Sequence, residues 1–364
     1  MNVGIFERVT DIFAAGFFYF IYDYIYHHYA IWHVDPTWYN FVILLLATDF
    51  LFYWYHRCGH EINLFWALHI VHHQSPEFNY TTSLRVTTMQ AFARTAFWSI
   101  LPLIGFPAEM ILGILIIHGV YPFFTHTQTI GKLGFLEYFL VTPSHHRVHH
   151  ASNEEYLDKN YGDVFIIWDK MFGTFKEEKQ TPVYGLTKPL NSYSFLWQHF
   201  HYFLELGVAV SRTKGFKAKL KVIFGSPEKV DADIRPILER RFRINSAQKV
   251  PLQNTFNRYV LLQTIMTLFL LFFLLLFEHQ LGFWQKFAIA VFVLLTLINC
   301  GAILEHRKWV FYLEFIRAAV FGIIVFLFYP APMFGLLIAG LLALALFNHK
   351  PVQRYYLDLV YRKH

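Results

Sequence analysis

Histidines in short boxes are the residues of this chain best suited to chemistry. Eleven of its 20 histidines lie between His56 and His150. The first box reads HRCGH from position 56, the second HIVHH from position 69 and the third HHRVHH from position 145, with His126 between the last two. Residues at i, i+3 and i+4 share one helix face, so each box aims two or three imidazoles at one point. Neutral imidazole binds transition metals strongly, and the boxes therefore predict a metal centre.

The number of imidazoles indicates more than one metal ion. A single tetrahedral zinc needs about four ligands, whereas the three boxes bring at least eight histidines into suitable positions. Nitrogen ligands favour iron, zinc, copper or nickel over calcium or magnesium, and spacing alone does not choose among them. The only cysteines are Cys58 and Cys300, which excludes iron–sulfur spacing. Cys58 lies inside the first box, where we interpret it as a packing residue.

One straight helix cannot bring the first two boxes to a common centre. At about 100° per residue, the second box would lie on the face opposite to the first. We therefore expect the helix to break between Glu61 and Leu68, at Asn63, unless each box serves a different neighbouring helix. Ser144 directly precedes the third box and is the expected N-cap of a helix that points His146, His149 and His150 inward.

The composition is that of an integral membrane protein. Of the 364 residues, 55% are hydrophobic and 15% are charged, whereas soluble domains carry about 25% charge. Apolar runs recur that approach the length needed to cross a bilayer core of about 30 Å. They lie at 10–30, 37–54, 90–105, 107–124, 256–277, 283–303, 310–328 and 332–348. We predict an all-α, multi-span helical bundle with a cytoplasmic histidine-box di-metal centre; the two runs around Pro107 are short enough for a re-entrant hairpin.

Lysine and arginine give the expected orientation. They concentrate in 176–250, 304–308 and 350–363, which the positive-inside rule places in the cytoplasm. With eight crossings, the histidine boxes fall on that same side. The net charge of +6 suits a protein seated on anionic lipid, in the endoplasmic reticulum of a eukaryote or the inner membrane of a bacterium. The basic residues are juxtamembrane and no nucleic-acid module is recognisable, so a nucleic-acid partner is disfavoured.

Composition also suggests three segments. Residues 1–210 hold every histidine box and are predicted to form the catalytic membrane domain. Residues 211–255 are basic and contain three prolines, and we expect a cytoplasmic linker there. Residues 256–364 hold four further apolar runs without metal-ligand spacing and are predicted to form a four-span membrane domain.

The segment after the third box carries a family resemblance. It contains NYG from position 160 and WDKMFGT from position 168. With the three boxes, these motifs make the chain resemble the fatty acid hydroxylase and sterol desaturase superfamily of membrane di-iron oxygenases. Within that superfamily the chain is most similar to the alkylglycerol monooxygenase family, through residues 60–61, 142–150, 158–174 and 183–187.

The resemblance implies a set of iron ligands. It comprises the box histidines, His126 as a further family histidine, and His145 as a ligand or its neighbour: His56, His60, His69, His72, His73, His126, His145, His146, His149 and His150. His118 matches no family position, and we interpret it as structural. Glu61 is implied to be an acidic residue needed for activity. From the residues alone, Glu61 either orients a ligand imidazole as an acceptor or is a solvated charge at a helix end.

The implied reaction is O2 reduction at two iron ions with hydroxylation of a lipid C–H bond. On an ether lipid the attacked carbon would adjoin the ether oxygen, and the resulting hemiacetal would collapse to a fatty aldehyde and a glycerol lipid. Electrons must come from an external donor, because no GxGxxG loop, haem module or ferredoxin spacing is recognisable; the resemblance implies tetrahydrobiopterin. Two alternatives remain: a sterol or fatty-acid desaturase or hydroxylase of the superfamily, and a non-catalytic metal-binding membrane protein.

Overall fold

The chain is helical throughout its regular structure. The computed structural model describes residues 2–244, 254–347 and 349–361. Within these ranges, backbone pairing of the β type is limited to two isolated bridges, Leu140 with Phe165 and Ala151 with Tyr184. The predicted all-α class is confirmed.

The described residues form two compact units. The first unit comprises residues 13–190 and 199–242, and the second comprises 2–12, 191–198 and 243–364. These limits differ from the three predicted segments, because the beginning of the expected linker, 211–242, is part of the first unit. Asn63 shows the physical reason: its side-chain amide donates to the Val222 carbonyl at 2.7 Å, and its backbone N–H donates to the Gly225 carbonyl at 2.8 Å.

The helices of the first unit carry all three histidine boxes. Helix α1 is shared, because its first residues belong to the second unit. Short 3₁₀ turns lie at Gly134–Tyr138, Glu154–Tyr156 and Pro227–Lys229. The α-helices are α1 (Asn2–Tyr29), α2 (Trp38–Glu61), α3 (Asn63–His73), α4 (Tyr80–Ser83), α5 (Thr88–Trp98), α6 (Ile100–Ile104), α7 (Ala108–Thr125), α8 (Pro143–His149), α9 (Ile167–Phe172), α10 (Phe195–Arg212), α11 (Phe216–Ile223) and α12 (Ile234–Arg241).

The expected break between the first two boxes is at Ile62. Helix α2 ends at Glu61 and α3 begins at Asn63, while Ile62 between them is extended (φ −123°, ψ 124°). The break therefore lies one residue before the predicted position. Asn63 is the anchor that follows it, since the Tyr202 hydroxyl also donates to its side-chain oxygen at 2.6 Å. The turn lets α3 fold back so that the second box can face the first.

The prediction of Ser144 as an N-cap is wrong. Helix α8 begins at Pro143, and Thr142 before it is extended (φ −103°, ψ 170°). Proline suits the first position of a helix because its fixed φ is helical and its missing N–H would have no partner there. The N-cap is thus Thr142, two residues before the predicted position, and the third box still lies on α8, with His150 as its C-cap.

A buried core of large side chains holds the first unit together. Tyr55 of α2 packs with Trp98 of α5 and with Leu101 and Ile111 from the two helices that follow. Each fully buried side chain of this size contributes about 1.5–3 kcal/mol. This packing fixes the direction in which α2 presents the first box.

Asp169 organises the loop that carries the NYG motif. Its carboxylate accepts the backbone N–H groups of Tyr161 and Gly162 and the hydroxyl of Thr174, each at 2.7 Å. A Cβ at Gly162 would lie 2.6 Å from the Phe165 carbonyl oxygen, so only glycine fits there. The NYG and WDKMFGT motifs are thus parts of one structure, which we call the motif loop (158–174).

The second unit is a group of long apolar helices. They are α13 (Asn254–Leu276), α14 (Phe283–Leu304), α15 (Val310–Phe328), α16 (Pro332–Phe347) and α17 (His349–Tyr361). Arg317 of α15 is buried among them, where it donates to Glu314 at 2.6 Å, to Gln263 of α13 at 2.5 Å and to Thr296 of α14 at 3.1 Å. A polar network in which every guanidinium nitrogen has a partner specifies the relative positions of these apolar helices.

Fewer helices can cross a membrane than the eight runs predicted. Within the described residues, four are long and apolar enough: Ala108–Thr125, Arg258–Leu276, Phe283–Leu304 and Val310–Phe328. A fifth crossing is possible by length if Pro332–Leu344 and His349–Asp358, bent by 82°, act together.

The difference arises in the first unit. Helices α1 and α2 form over the runs 10–30 and 37–54, but both are rich in tyrosine and contain charged residues. The run 90–105 is interrupted at Ser99, which separates α5 from α6. The chain is an integral membrane protein, with a smaller number of apolar crossings than composition alone suggested.

We predict that Asp169→Ala destabilises the protein by about 3 kcal/mol or more, because three donors lose a buried acceptor. The apparent unfolding temperature in detergent should fall by about 5 °C or more. Glu154→Ala, at an exposed position outside the loop's hydrogen bonds, is the control and should change this temperature by about 2 °C or less. Equal unfolding temperatures for Asp169→Ala and the wild type would contradict the role given to Asp169.

Candidate metal centre

Nine histidines, of which all but the partly exposed His60 are buried, converge in two clusters. In each cluster the potential ligand nitrogens all lie within 4.8 Å of one another. All nine are among the ten predicted from the sequence. The first cluster contains His56, His60, His69, His73 and His149, and the second contains His72, His126, His146 and His150.

Two helices contribute to both clusters. Helix α3 supplies His69 and His73 to the first cluster and His72 to the second. The third box does the same, since His149 belongs to the first cluster while its neighbour His150 belongs to the second. The rings of His73 and His150 stack with centroids 4.4 Å apart. The two clusters are therefore adjacent, as a two-metal centre requires.

The spacing of the imidazole nitrogens fits metal coordination. Nε2 of His69 lies 3.0 Å from Nε2 of both His56 and His73, and neighbouring Nε2 atoms in the second cluster are 3.0–3.2 Å apart. Two nitrogens bound about 2.1 Å from one metal ion are about 3.0 Å apart at a right angle and about 3.4 Å apart at a tetrahedral angle. The observed separations match the edges of a coordination polyhedron.

Hydrogen bonds on the outer side orient several rings. Nδ1 of His56, His126 and His149 lies 2.8, 2.6 and 3.0 Å from a backbone carbonyl oxygen. The carbonyls facing His56 and His149 belong to Tyr161 and Lys159 of the motif loop. A neutral ring that donates through Nδ1 presents a bare lone pair at Nε2. Nε2 of His149, like that of His60, is buried without a hydrogen-bond partner, and a metal ion satisfies such an atom.

Burial keeps the cluster histidines neutral. It lowers the pKa of all nine, to about 4 for His56 and for His126. Mutual repulsion among the protonated rings lowers the pKa values further. At neutral pH the imidazoles are consequently in the form that binds a metal without first losing a proton.

Arg147 ties α8 both to Glu178 and to the segment after α7. Arg147 donates to both carboxylate oxygens of Glu178, at 2.8 and 2.6 Å. Its guanidinium also donates to the carbonyls of Thr127 and Ile130, at 3.1 and 2.7 Å. His126 directly precedes this segment, so the same arginine fixes the position of His126 relative to the third box.

The structure places His145, the tenth predicted histidine, outside both clusters. Its Nδ1 lies 3.2 Å from the Leu140 carbonyl oxygen and its Nε2 lies 4.0 Å from the Glu137 carboxylate. These contacts support a structural role for His145.

Glu61 lies at the rim of the site. Its carboxylate accepts from Arg57 at 2.8 Å, and its side chain is 45% exposed. The carboxylate that the structure places against a cluster histidine is that of Asp158, 3.8 Å from Nδ1 of His60. Burial, followed by the charges of Glu61 and Glu228, raises the pKa of Asp158. Asp158 was not among the predicted site residues, although it lies just before the NYG motif.

A cavity of about 840 Å³ opens onto the clusters and reaches His60, His73, His149 and His150. Apolar side chains on its wall include those of Trp66, Ile70, Leu157 and Leu186, beside several carboxylates. Part of the wall is formed by 226–239, in the segment expected to be a linker. The contribution of 226–239 to the cavity wall was not predicted, because this segment contains no metal-ligand spacing.

The buried carboxylate of Asp49 anchors the motif loop to α2. Asp49 accepts the backbone N–H groups of Val164 and Phe165 at 2.9 and 3.1 Å and the indole N–H of Trp168 at 2.8 Å. Beside it, His118 of α7 donates to Asp163 at 2.5 Å. These contacts agree with the structural interpretation of His118.

Known proteins share this arrangement of motifs. The family model for fatty acid hydroxylases matches residues 41–174, which include all three boxes and the motif loop. An ornithine lipid hydroxylase of Rhizobium tropici is 29% identical over 141 residues, 38% of this chain and 43% of that protein. No solved structure matches the chain.

Similarity extends much further along the chain in another group of relatives. Alkylglycerol monooxygenase of Homo sapiens is 33% identical over 333 residues, 88% of this chain and 73% of that protein. The Danio rerio protein of the same name is 33% identical over 332 residues, with the same coverage. Since the similarity covers both the histidine boxes and the apolar helices of the second unit, the chain belongs to the alkylglycerol monooxygenase family of membrane lipid hydroxylases.

Proposed function

We propose that this membrane monooxygenase hydroxylates alkylglycerols at the carbon beside the ether oxygen, using two iron ions held by the two clusters. The cavity is the observation that carries the substrate proposal. It combines apolar side chains with carboxylates and ends at four cluster histidines. Its volume of about 840 Å³ is within the usual range of ligand sites, about 300–1,000 Å³. An amphiphile with an alkyl chain and hydroxyl groups matches such a lining.

The residues of the site would position the substrate and exclude water. Trp66 and Ile70 offer apolar contacts to an alkyl chain beside His73, while carboxylates accept hydrogen bonds from the hydroxyls of a glycerol head. Holding the reacting carbon near the clusters in one orientation lowers the entropic part of the reaction barrier. Bound iron supplies the O2 reduction that hydroxylation of an unactivated C–H bond needs. The fold supplies the neutral imidazoles that hold it.

The product decomposes by proton transfer alone. Hydroxylation beside the ether oxygen gives a hemiacetal, and its new hydroxyl loses a proton while the ether oxygen gains one as the C–O bond breaks. A fatty aldehyde and a free glycerol hydroxyl result. We assign the handling of a proton in this reaction to Glu61, which lines the cavity beside His60.

The reductant that we propose is tetrahydrobiopterin, supplied from outside the chain. Family membership supports this proposal. The chemistry of the cavity agrees with it, because carboxylates such as Glu61 and Glu239 match the N–H groups of a reduced pterin. We also propose that the metal centre faces the cytoplasm, since the exposed lysines of α11 lie in the same unit as the clusters.

Purified protein supplied with iron, tetrahydrobiopterin and ¹⁸O2 should convert an alkylglycerol to fatty aldehyde and glycerol. The label should appear in the aldehyde, trapped at once by reduction, because the inserted oxygen stays on the attacked carbon. The corresponding ester lipid is the control and should not be oxidised. A double bond or a stable alcohol as the product would exclude ether cleavage and favour a desaturase or hydroxylase of the wider superfamily.

The purified chain should bind two metal ions, and substitution in either cluster should lower this number. His149→Ala tests the first cluster and His72→Ala the second; each removes a buried ligand, so turnover should be lost while membrane insertion is retained. Elemental analysis gives the metal content. His279→Ala, an exposed histidine outside the clusters, should keep both ions. Two ions in His149→Ala would refute the ligand assignment.

Glu61→Gln should lower kcat by about two orders of magnitude, the scale of a positioned acid–base group, with metal content unchanged. The matched control is Arg57→Gln, which removes the ion-pair partner at 2.8 Å but retains the carboxylate. If Glu61 serves only as half of a surface ion pair, both variants should behave alike and cost well under about 1 kcal/mol. Similar kcat values for the two variants would thus remove Glu61 from the reaction.

A further inference from the structure

The cavity is acidic, although part of its wall comes from a segment that is basic overall. Arg235, one of the cations that line it, is already paired with Glu205 at 2.7 Å. Lys217 and Lys221 of α11 are exposed and do not line the cavity. The lining contains two cations, Lys188 and Arg235, and six carboxylates, those of Glu61, Asp158, Glu205, Glu228, Asp231 and Glu239.

The inner end of the same cavity presents unsatisfied metal ligands. Nε2 of His60 and Nε2 of His149 are buried without a hydrogen-bond partner, and both histidines line the cavity. Asp158 stands next to them, with its carboxylate 3.8 Å from His60. Carboxylates towards the surface and bare imidazole nitrogens inside form a sequence of ligands with increasing affinity for transition metals.

We propose that this cavity is the access route of divalent metal ions, in which Glu228 and Glu239 attract the hydrated cation and Asp158 transfers it to the first cluster. The proposal rests on the metal-binding role proposed above. Carboxylate oxygens hold divalent cations loosely with their water, whereas imidazole binds iron-group ions more tightly. The ion therefore moves inward from carboxylate to imidazole ligands. Imidazole nitrogens replace water and carboxylate oxygens on the ion, and its oxidation state does not change.

Charge in a cleft acts mainly on the rate of association. A cleft lined by one sign of charge raises the association rate of an opposite ion by about 10- to 1,000-fold, and salt reduces the effect. Charges at the rim alter the association rate more than the final affinity. The access route is consequently tested by the kinetics of metal uptake, not by the amount of metal bound.

The experiment uses the full chain, stripped of metal in uncharged detergent and mixed with Co²⁺, whose visible absorption reports imidazole binding. Glu228→Lys should load about tenfold more slowly than the wild type at low ionic strength, and the difference should shrink as salt is added. Final occupancy should be the same. Glu154→Lys makes the same charge change at an exposed position outside the cavity and should load at the wild-type rate.

Glu228→Gln is a second variant for the case in which Glu228→Lys misfolds, since it removes the charge with little change of shape. It should load more slowly than the wild type but faster than Glu228→Lys. Equal loading rates for the wild type and both Glu228 variants would overturn the access route while leaving the metal centre intact. Failure of the wild type to bind Co²⁺ at all would instead overturn the metal centre, and the route with it.

Discussion

A buried imidazole is held in the orientation that a metal ion needs when the protein accepts a hydrogen bond from its other nitrogen, and this interaction shapes the first unit. His56 and His149 meet it through carbonyls of the motif loop, at Tyr161 and Lys159. The conformation of that loop is held by Asp169, which accepts two of its backbone N–H groups. Asp49 of α2 accepts a third, from Val164, and so anchors the loop to that helix. The motifs that mark the family in sequence thus support the histidines, while the boxes supply the candidate ligands.

The convergence of the box histidines was predictable, because it depends on their spacing along the chain. Spacings of three and four residues place histidines on one helix face whatever the rest of the fold does. The break after α2 followed from the same angular argument, and only its position was missed, by one residue at Ile62. His145 shows the limit of this reasoning, because it adjoins the third box in sequence but contacts Leu140 and Glu137 and belongs to neither cluster.

Features that depend on distant contacts were not predictable. Asp158 approaches His60 from almost a hundred residues away, and the wall at 226–239 joins the site because Asn63 bonds to the segment just before it. The number of crossings was overestimated for a related reason. Length and apolar content suggested spans at α1 and α2, whereas α2 must also carry Asp49 and the first box, whose polar groups face protein interior. Hydropathy alone does not distinguish burial in protein from burial in lipid.

The sharing of α3 between the clusters has a thermodynamic consequence. His69 and His73 serve one cluster and His72 the other from a single helix of eleven residues. Any rotation of this helix that releases one ion also misplaces a ligand of its neighbour. Two ions held in this way would load cooperatively, because the first to bind would order the helix and the second would not bear that ordering cost again. The half-filled centre would then be less populated than independent sites predict.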